Sequence, residues 1–164
     1  MKNIVVISFA VALAVSLGVG CKKQDVNQLP PITDVNAVDF ADEPSIRGDF
    51  DSNVNLKTIY FSFDKSDLAQ EALDVLKANA AYVINNPGIK VVVEGHCDER
   101  GTIEYNLSLG QKRAVKVKEY YVQLGVKPNR IATISFGHEK PVDPRGNEAA
   151  WAKNRRAETK VMSK

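Results

Sequence analysis

One abrupt change from apolar to polar sequence constrains the fold of this chain more than any other feature. Residues 91–93 are three consecutive valines, and a run of β-branched residues predicts a strand. The chain then becomes charged, with Gly95 and Gly101 at the two ends of the charged segment. This pattern indicates a loop that leaves the carboxyl end of the strand.

A helix is expected soon after this loop. Ser108 and Gln111 have the spacing of a capping box, so the sequence predicts that the helix begins at Ser108. A charged loop would then face a helix start at the end of a strand. In open α/β sheets this is the place where ligands tend to bind.

Two opposite charges stand out in this stretch. Asp98 lies on the predicted loop and Arg113 lies about one turn inside the predicted helix. If the fold brings them together, they form a site for a zwitterion, with Asp98 for an ammonium and Arg113 for a carboxylate. Charge-assisted bonds contribute roughly 1.5–3 kcal/mol each, so two or three of them, less the ordering costs, predict an affinity on the order of micromolar.

The amino terminus has the form of a secretory signal peptide. A short positive start is followed by uncharged residues 4–20, which end in small residues before Cys21. The segment resembles a bacterial lipoprotein signal, which implies a lipid on the Cys21 thiol and cleavage before it. It departs from the usual pattern because Gly18 stands where leucine is common, with Leu17 one position further out. The alternative is an uncleaved membrane anchor, although about 17 apolar residues are at the short limit for a span.

The sequence predicts three regions: a lipoprotein signal peptide (1–20), a lipidated cysteine with a flexible tether (21–55), and a folded domain (56–164). The tether region has prolines and scattered acids but no sustained apolar period. Residues 22–55 carry three basic and seven acidic groups, whereas residues 56–164 carry eighteen basic and thirteen acidic groups. Basic residues are interleaved with acidic ones and the signal exports the chain, so nucleic acid is not an expected partner.

The domain is predicted to be an α/β two-layer sandwich with the order β-α-β-α-β-(α)-β. Its sheet is expected to be mixed, with the second and third strands parallel, the last strand antiparallel, and the helices on one face. Apolar residues at helical spacing predict the core positions of two helices. The predicted strands are 56–63, 89–94, 131–136 and 156–162, and the predicted helices are 67–85 and 109–124, with one helical turn at 148–152. The predicted core positions are Ala72, Leu76, Ala80, Val83, Ala114, Val117, Tyr121 and Leu124.

Four motifs of the domain resemble the OmpA-like domain family, and within it the peptidoglycan-associated lipoproteins. The longest, E-G-H-x-D-E-R-G-T-x-E-Y-N-x-S-L-G-x-x-R-A, covers residues 94–114. The others are Y-F-x-F-D-K at 60–65, F-G-H-E-K-P at 136–141 and N-R-R-A-E at 154–158. The resemblance spans nearly all of residues 56–164.

The resemblance implies non-covalent binding of peptidoglycan through the diaminopimelate of its stem peptide. It assigns the diaminopimelate to Asp98 and Arg113, which agrees with the zwitterion argument from charge alone. Phe63 and Asp64 line the site in the family. The further candidates are Asn106, Leu107 and Ser108.

The resemblance also implies a cellular setting. The protein is expected in the outer membrane, anchored by the lipid on Cys21, with its domain facing the periplasm. Its expected partners are peptidoglycan and Tol proteins such as TolB, within the Tol–Pal system of envelope integrity and cell division, and no cofactor is expected. The alternative is a generic OmpA-like wall-anchoring lipoprotein outside that system. A flagellar motor stator is not expected, since residues 4–20 lack an ionisable group.

Several residues have a structural alternative to ligand binding. Asp98 could cap a turn or pair with Arg100, and Arg113 could be a solvated helix residue. Arg155 and its neighbour Arg156 could contact glycan or face solvent. Trp151 could stack on a sugar or pack against the domain.

Metal binding and catalysis are two further interpretations of the residues on the charged loop. His96, Cys97, Asp98 and Glu99 offer donor atoms, but no second spaced Cys or His pair supports a zinc site. His96 is expected to orient the loop through a hydrogen bond. Cys97 with a histidine is a conceivable catalytic dyad, but no third group is evident, so the chain is not expected to be an enzyme.

Overall fold

The computed structural model describes residues 56–162 throughout and, before them, Pro44, Ile46, Phe50, Asp51 and Val54. Its elements follow the predicted order β-α-β-α-β-α-β. They are β1 (Ile59–Tyr60), α1 (Gln70–Asn85), β2 (Lys90–His96), α2 (Ile103–Gln123), β3 (Ile131–Gly137), α3 (Glu148–Asn154) and β4 (Arg156–Met162). A 3₁₀ turn, Pro128–Arg130, precedes β3.

The four strands form one mixed sheet in the order β1-β4-β2-β3. β2 and β3 are parallel and are joined through α2, as predicted. β4 runs antiparallel to both β1 and β2, so the prediction for the last strand is confirmed as well. The parallel register slips between Gly95 and His96, where β2 ends and the charged loop begins.

Both long helices pack on one face of the sheet. The predicted helix positions Ala72, Leu76, Ala80, Val83, Ala114, Val117 and Tyr121 are all buried. Leu124, also predicted, packs against this core from a partly buried position. The strands contribute Val91, Val93, Ile131, Ala157 and Val161 to the same core. On the opposite face of the sheet, Val92 and Ala132 are buried too.

Two glycines allow α2 to lie unusually close to β2. A Cβ added to Gly95 would lie 1.9 Å from the carbonyl oxygen of Gly110. A Cβ added to Gly110 would lie 2.3 Å from Oγ of Ser135 on β3. Because no other residue fits at such separations, these glycines hold the helix against the end of the strand, where the charged loop emerges.

The first strand and first helix are shorter than predicted. Only Ile59–Tyr60 is a strand, because the backbone N–H and C=O of Lys57 bond instead to the side chain of Asn79 on α1, at 3.0 and 2.8 Å. α1 begins at Gln70 after Ala69, which makes no side-chain cap. The predicted helix start at residue 67 is therefore wrong by three residues.

The start of α2 is the main correction to the predicted fold. α2 begins at Ile103, because Thr102 caps it by accepting a hydrogen bond from the Tyr105 N–H at 3.2 Å. Gly101, with a positive φ of 102°, lets the chain turn into this cap. Ser108 therefore lies inside the helix, and the prediction that it starts the helix is wrong.

The predicted signal peptide and Cys21 lie outside the described residues. Close to the predicted domain boundary, Phe50 forms a β-bridge with Met162, and the Asp51 N–H donates to the carbonyl of Val161 at 3.0 Å. Contacts with the domain thus already occur before residue 56. Within the described part of the chain, no helix has both the length and the apolar character needed to span a membrane.

Candidate functional site

A pocket of about 230 Å³ lies where β2 ends and α2 begins. It gathers five of the predicted site residues: Phe63, Asp64, Asp98, Asn106 and Arg113. The remaining lining residues are Cys97, Arg100, Gly101, Tyr105, Leu109 and Arg155. The site is therefore built from the turn after β1, the loop after β2, the first turns of α2 and the residue before β4.

Leu107 and Ser108, the other two predicted residues, do not line this pocket. The early start of α2 places both in the helix, where Ser108 is exposed and Leu107 is half-buried. Leu107 lies against β3, since its nitrogen is 3.1 Å from the position of a Cβ on Gly137. The ligand contacts expected of these two residues would need a ligand that extends beyond the pocket.

Asp98 is a buried carboxylate that is 4% exposed and has four hydrogen-bond donors around it. Oδ1 accepts from the backbone N–H and from Nε of Arg100, at 3.1 and 3.2 Å. Oδ2 accepts from Nη2 of Arg100 at 2.7 Å and from Nη1 of Arg155 at 3.2 Å. Burial alone would raise the pKa of Asp98, but these bonds outweigh it and hold the pKa below its ordinary value.

Arg100 is held on three sides. Its guanidinium lies 4.0 Å from the ring centroid of Phe63 and 4.2 Å from that of Trp151. One edge meets Asp98, and Nη2 also lies 3.7 Å from Oε2 of Glu148. The side chain is 32% exposed, so this fixed cation still reaches solvent at the pocket. The predicted alternative of an Asp98–Arg100 pair is thus present in the structure.

Arg155 is a buried cation behind Asp98. Its Nε donates to the carbonyl of Phe61 at 3.1 Å, and its Nη2 donates to Oε1 of Glu148 at 2.8 Å. Only 8% of the Arg155 side chain and 5% of the Arg156 side chain are exposed. The expectation that these two arginines could face solvent is therefore wrong.

Arg113 is fully buried at the back of the pocket, so the alternative of a solvated helix residue is wrong. It projects from α2 into the gap between two chain segments and donates to three backbone carbonyls. Nε bonds to Lys65 at 2.8 Å, Nη1 to His96 at 2.8 Å and Nη2 to Ser62 at 3.3 Å. Arg113 therefore ties the turn after β1 to the end of β2.

Asp64 supplies an exposed carboxylate at the pocket. Its φ of +55° is a left-handed conformation that costs a non-glycine residue energy and turns the chain sharply after β1. The Tyr105 hydroxyl donates to Oδ1 of Asp64 from the first turn of α2. This bond raises the pKa of Tyr105, and it fixes the carboxylate in place.

Asn106 and Cys97 complete the inner wall of the pocket. Nδ2 of Asn106 donates to the carbonyl of Arg100 at 3.0 Å and lies 2.8 Å from Nδ1 of His138, so it fixes the charged loop. The Cys97 thiol is buried and lies 3.3 Å from the carbonyl oxygen of Asn106. Burial raises the pKa of this thiol to about 11, which keeps it protonated and weakly nucleophilic at neutral pH.

His96 does not orient the loop as predicted. Its ring is buried, and among the described residues neither ring nitrogen has a hydrogen-bond partner, with Oε2 of Glu94 lying 3.8 Å from Nε2. The ring stacks on Phe136 with centroids 5.5 Å apart, and only the backbone carbonyl of His96 reaches the site, through Arg113. Within the described part of the chain, no three His, Cys, Asp or Glu residues are grouped so that they could hold a metal ion.

Six lining residues were not among the predicted site residues, and Arg100 and Tyr105 are two of them. Arg100 was considered only as a partner of Asp98, although an Asp-x-Arg spacing on a glycine-bounded loop favours a local ion pair. Tyr105 was not singled out, because the predicted helix began after it. The Thr102 hydroxyl three residues earlier was the available signal for the true start.

Comparisons with known proteins give a consistent result. The model of the OmpA family matches residues 60–155. A peptidoglycan-associated lipoprotein of Haemophilus influenzae is 51% identical over 100 residues. The aligned region covers 61% of this chain and 65% of the relative, which is just under two thirds of the relative's length. A peptidoglycan-associated lipoprotein of Pseudomonas putida is 39% identical over 154 residues, covering 91% of this chain and 92% of the relative. The crystal structure of the peptidoglycan-associated lipoprotein from Burkholderia pseudomallei superposes with a TM-score of 0.63 at 40% identity, covering 65% of this chain and 90% of that chain.

Proposed function

This chain belongs to the OmpA family and, within it, to the peptidoglycan-associated lipoproteins, and from that premise we propose that it binds peptidoglycan without a covalent bond and anchors a membrane to the cell wall. The observation that carries the proposal is the pocket itself. Two carboxylates, Asp64 and Asp98, meet the cations of Arg100, Arg113 and Arg155 around one cavity of about 230 Å³. A site of mixed charge favours a ligand that carries both charges.

The ligand is proposed to be the diamino acid of the peptidoglycan stem peptide. The free end of diaminopimelate carries an ammonium and a carboxylate on one carbon, which matches the two signs of charge in the pocket. The cavity is smaller than the roughly 300 Å³ at which pockets for drug-sized ligands begin, so it suits one amino-acid terminus rather than a glycan strand. Phe63 is 55% exposed and offers an apolar surface for the methylene chain.

The residues proposed to hold this ligand are those implied by the family resemblance. Asp98 and Arg113 form the back of the site, and Phe63, Asp64 and Asn106 line it. Leu107 and Ser108 remain candidates for contact with parts of the peptide outside the pocket. The function proposed is binding rather than catalysis, since the raised pKa of Cys97 leaves the pocket without an activated thiol. Release of soluble fragments from purified wall would contradict that assignment.

The membrane attachment is proposed to be a lipid on Cys21 in the outer membrane, with the domain in the periplasm. The lipoprotein-like sequence before Cys21 supports it, and several relatives carry the name lipoprotein. Metabolic labelling with a fatty acid tests it. Label should enter the wild-type chain and be absent from Cys21→Ser, whereas equal labelling of both would contradict the assignment.

The proposed setting is the Tol–Pal system, which acts in envelope integrity and cell division, with TolB as a partner. Membership in the peptidoglycan-associated lipoproteins supports this over the alternative, a generic wall-anchoring lipoprotein outside that system. Capture of the organism's own TolB by the purified chain distinguishes the two. A defined complex supports the Tol–Pal setting, and its absence under conditions where the chain binds wall favours the generic anchor.

Sedimentation with purified peptidoglycan tests the binding function. The full chain, kept soluble in mild detergent, should pellet with the wall, and Asp98→Asn and Asp64→Asn should pellet less. Asp74→Asn is the matched control, because Asp74 is an exposed carboxylate on α1 that is absent from the pocket lining. If the wild type remains in the supernatant, or if all three variants pellet like the wild type, the proposed function or its site is wrong.

A further inference from the structure

The sheet has two ends, and the pocket occupies one of them. β2 runs toward the pocket, whereas the antiparallel β4 begins there, just after Arg155, and ends at Met162. α2 joins the end of β2 to the start of β3, so it runs away from the pocket. α1 runs the same way, because β1 and β2 are both antiparallel to β4 and therefore point in one direction. The opposite, distal end consists of residues 50–51, 82–91, 120–132 and 160–162.

One arginine ties three segments of the distal end together. Nη2 of Arg130 donates to the carbonyls of Val83 and Asn86, both at 2.7 Å, and Nε donates to the carbonyl of Ile89 at 2.9 Å. The last turn of α1, the loop before β2 and the 3₁₀ turn before β3 are thus held as one surface. A surface that is ordered in advance loses little conformational entropy when it docks on a partner.

The distal end has an excess of positive charge. Its charged residues are Asp51, Lys90, Lys127, Arg130 and Lys160. The Arg130 guanidinium is committed to backbone carbonyls, and Lys160 is paired with Glu158 at 2.5 Å. Lys90 and Lys127 are exposed, and neither forms an ion pair within the part of the chain that the structure describes. Two ammonium groups are therefore available to an anionic partner.

Large apolar side chains accompany these two lysines. Ile84 and Val122 lie on the last turns of α1 and α2 and are 42% and 36% exposed, and Phe50 beside the end of β4 is also exposed. Lysines next to exposed apolar groups suit a lipid surface, where the ammonium groups meet phosphates and the apolar groups enter the boundary with the acyl chains. The core of a protein interface is a poorer match, because lysine is depleted there.

We propose that the distal end docks on the anionic headgroups of the membrane to which the chain is anchored. The inference rests on the proposed lipid anchor and on the proposed wall-binding pocket. α2 has 21 residues, a length of about 30 Å, so docking at the distal end points the pocket away from the membrane and toward the wall. One domain then contacts both layers through opposite ends.

The expected strength of this contact follows from the two lysines. A lysine close to an anionic membrane surface favours the bound state by about fivefold, so Lys90 and Lys127 together favour the docked domain by about thirtyfold. Because the lipid anchor already keeps the domain near the membrane, this factor changes the fraction of docked domains rather than the attachment itself. Salt should release the docked domain without releasing the chain, since it screens exposed charges.

Nanodiscs test the inference with the full, lipidated chain. The ¹⁵N-labelled chain is inserted into discs of phosphatidylcholine, or of phosphatidylcholine with an equal part of phosphatidylglycerol, and a trace of each lipid carries gadolinium on its headgroup. The paramagnetic ion broadens the amide resonances that lie nearest to the headgroups. In the anionic discs, residues 86–90 and 124–130 should be broadened more than residues 97–106 at the pocket. In the neutral discs, or at high salt, this difference should disappear.

Two double variants show whether the lysines cause the difference. Lys90→Gln with Lys127→Gln should lower the ratio of docked to undocked domains by about thirtyfold and remove the excess broadening. Lys77→Gln with Lys112→Gln is the matched control, because it removes two exposed lysines from the middle of α1 and α2, and it should keep the excess. The first variant should still sediment with peptidoglycan like the wild type, which shows that the domain is folded.

The possible outcomes separate this inference from the proposed function. Equal broadening of both ends in the anionic discs, or excess broadening at the pocket, would overturn the inference. An excess that survives Lys90→Gln with Lys127→Gln would overturn it as well. In each of these cases, retention of the chain on the discs leaves the lipid anchor intact. If the chain stays in solution with both kinds of disc, the proposed anchor fails, and this inference fails with it.

Discussion

Replacing Arg113 by methionine should destabilise the whole domain. Arg113 is fully buried and donates to the carbonyls of Ser62, Lys65 and His96. Methionine has a similar length and suits a helix, but it cannot donate a hydrogen bond. The turn after β1 would therefore lose its connection to the end of β2.

The size of the effect follows from these three carbonyls. The His96 carbonyl bond is buried, and leaving such an acceptor unsatisfied costs about 1–3 kcal/mol. The other two bonds are part-buried, so water can replace some of their value, and each loss costs about 0.5–1 kcal/mol. The total is about 2–5 kcal/mol, a large share of the roughly 5–15 kcal/mol by which domains are usually stable.

Urea unfolding followed by circular dichroism measures this loss. With a slope of about 2 kcal/mol/M, in the middle of the usual range, the unfolding midpoint of Arg113→Met should fall by about 1–2.5 M. Lys112→Met is the control, because Lys112 is the exposed neighbour on the same helix and loses the same charge. If the two variants unfold at the same midpoint, the hydrogen bonds of Arg113 do not hold the loops together, and the structural role assigned to it is wrong.

Three further predictions concern buried polar groups. Asn154→Ala should lower the free energy of unfolding by about 2–3 kcal/mol. The buried side-chain amide of Asn154 makes one hydrogen bond to the backbone of Val142 and two to the backbone of Asp143, and alanine would lose all three. An unchanged urea midpoint would contradict this prediction. Cys97 should react with a thiol reagent at pH 8 only after unfolding, since burial raises its pKa from 9.0 to about 11. Because the pKa of this thiol is higher in the folded than in the unfolded chain, the folded state favours the neutral thiol. The free energy of unfolding should therefore be constant below about pH 9 and decrease as the pH rises toward 11. Cys97→Ala should lack this decrease.

Much of the fold was predictable because its signals are local and repeated. The valine run, the apolar spacing of both helices and the alternation of the last strand each predict an element, and all of these elements are present. The parallel pairing of β2 with β3 follows from the helix between them. The predicted start of α2 at Ser108 was wrong, because Thr102 also offers a capping hydroxyl and the cap that forms depends on the turn at Gly101.

The composition of the site was predictable to a lesser degree. Sequence placed Asp98 and Arg113 in one pocket, but it could not show that both are buried and already bonded. Burial of a charge depends on residues far along the chain, such as Arg155, which lies 57 positions from Asp98. A charge pair in a sequence therefore identifies a site more reliably than it identifies which member of the pair faces the ligand.

The most direct test of the account is to locate the ligand by nuclear magnetic resonance. The ¹⁵N-labelled chain would be titrated with the diaminopimelate tripeptide while its amide resonances are followed. The account predicts that the largest shifts occur at residues 63–64, 97–98, 100–101 and 105–106, which line the pocket, and that the groove between Ile59 and Val75 remains unchanged. Saturable shifts concentrated at that groove, or no saturable shifts at millimolar peptide, would contradict the claim that this pocket recognises the cell wall.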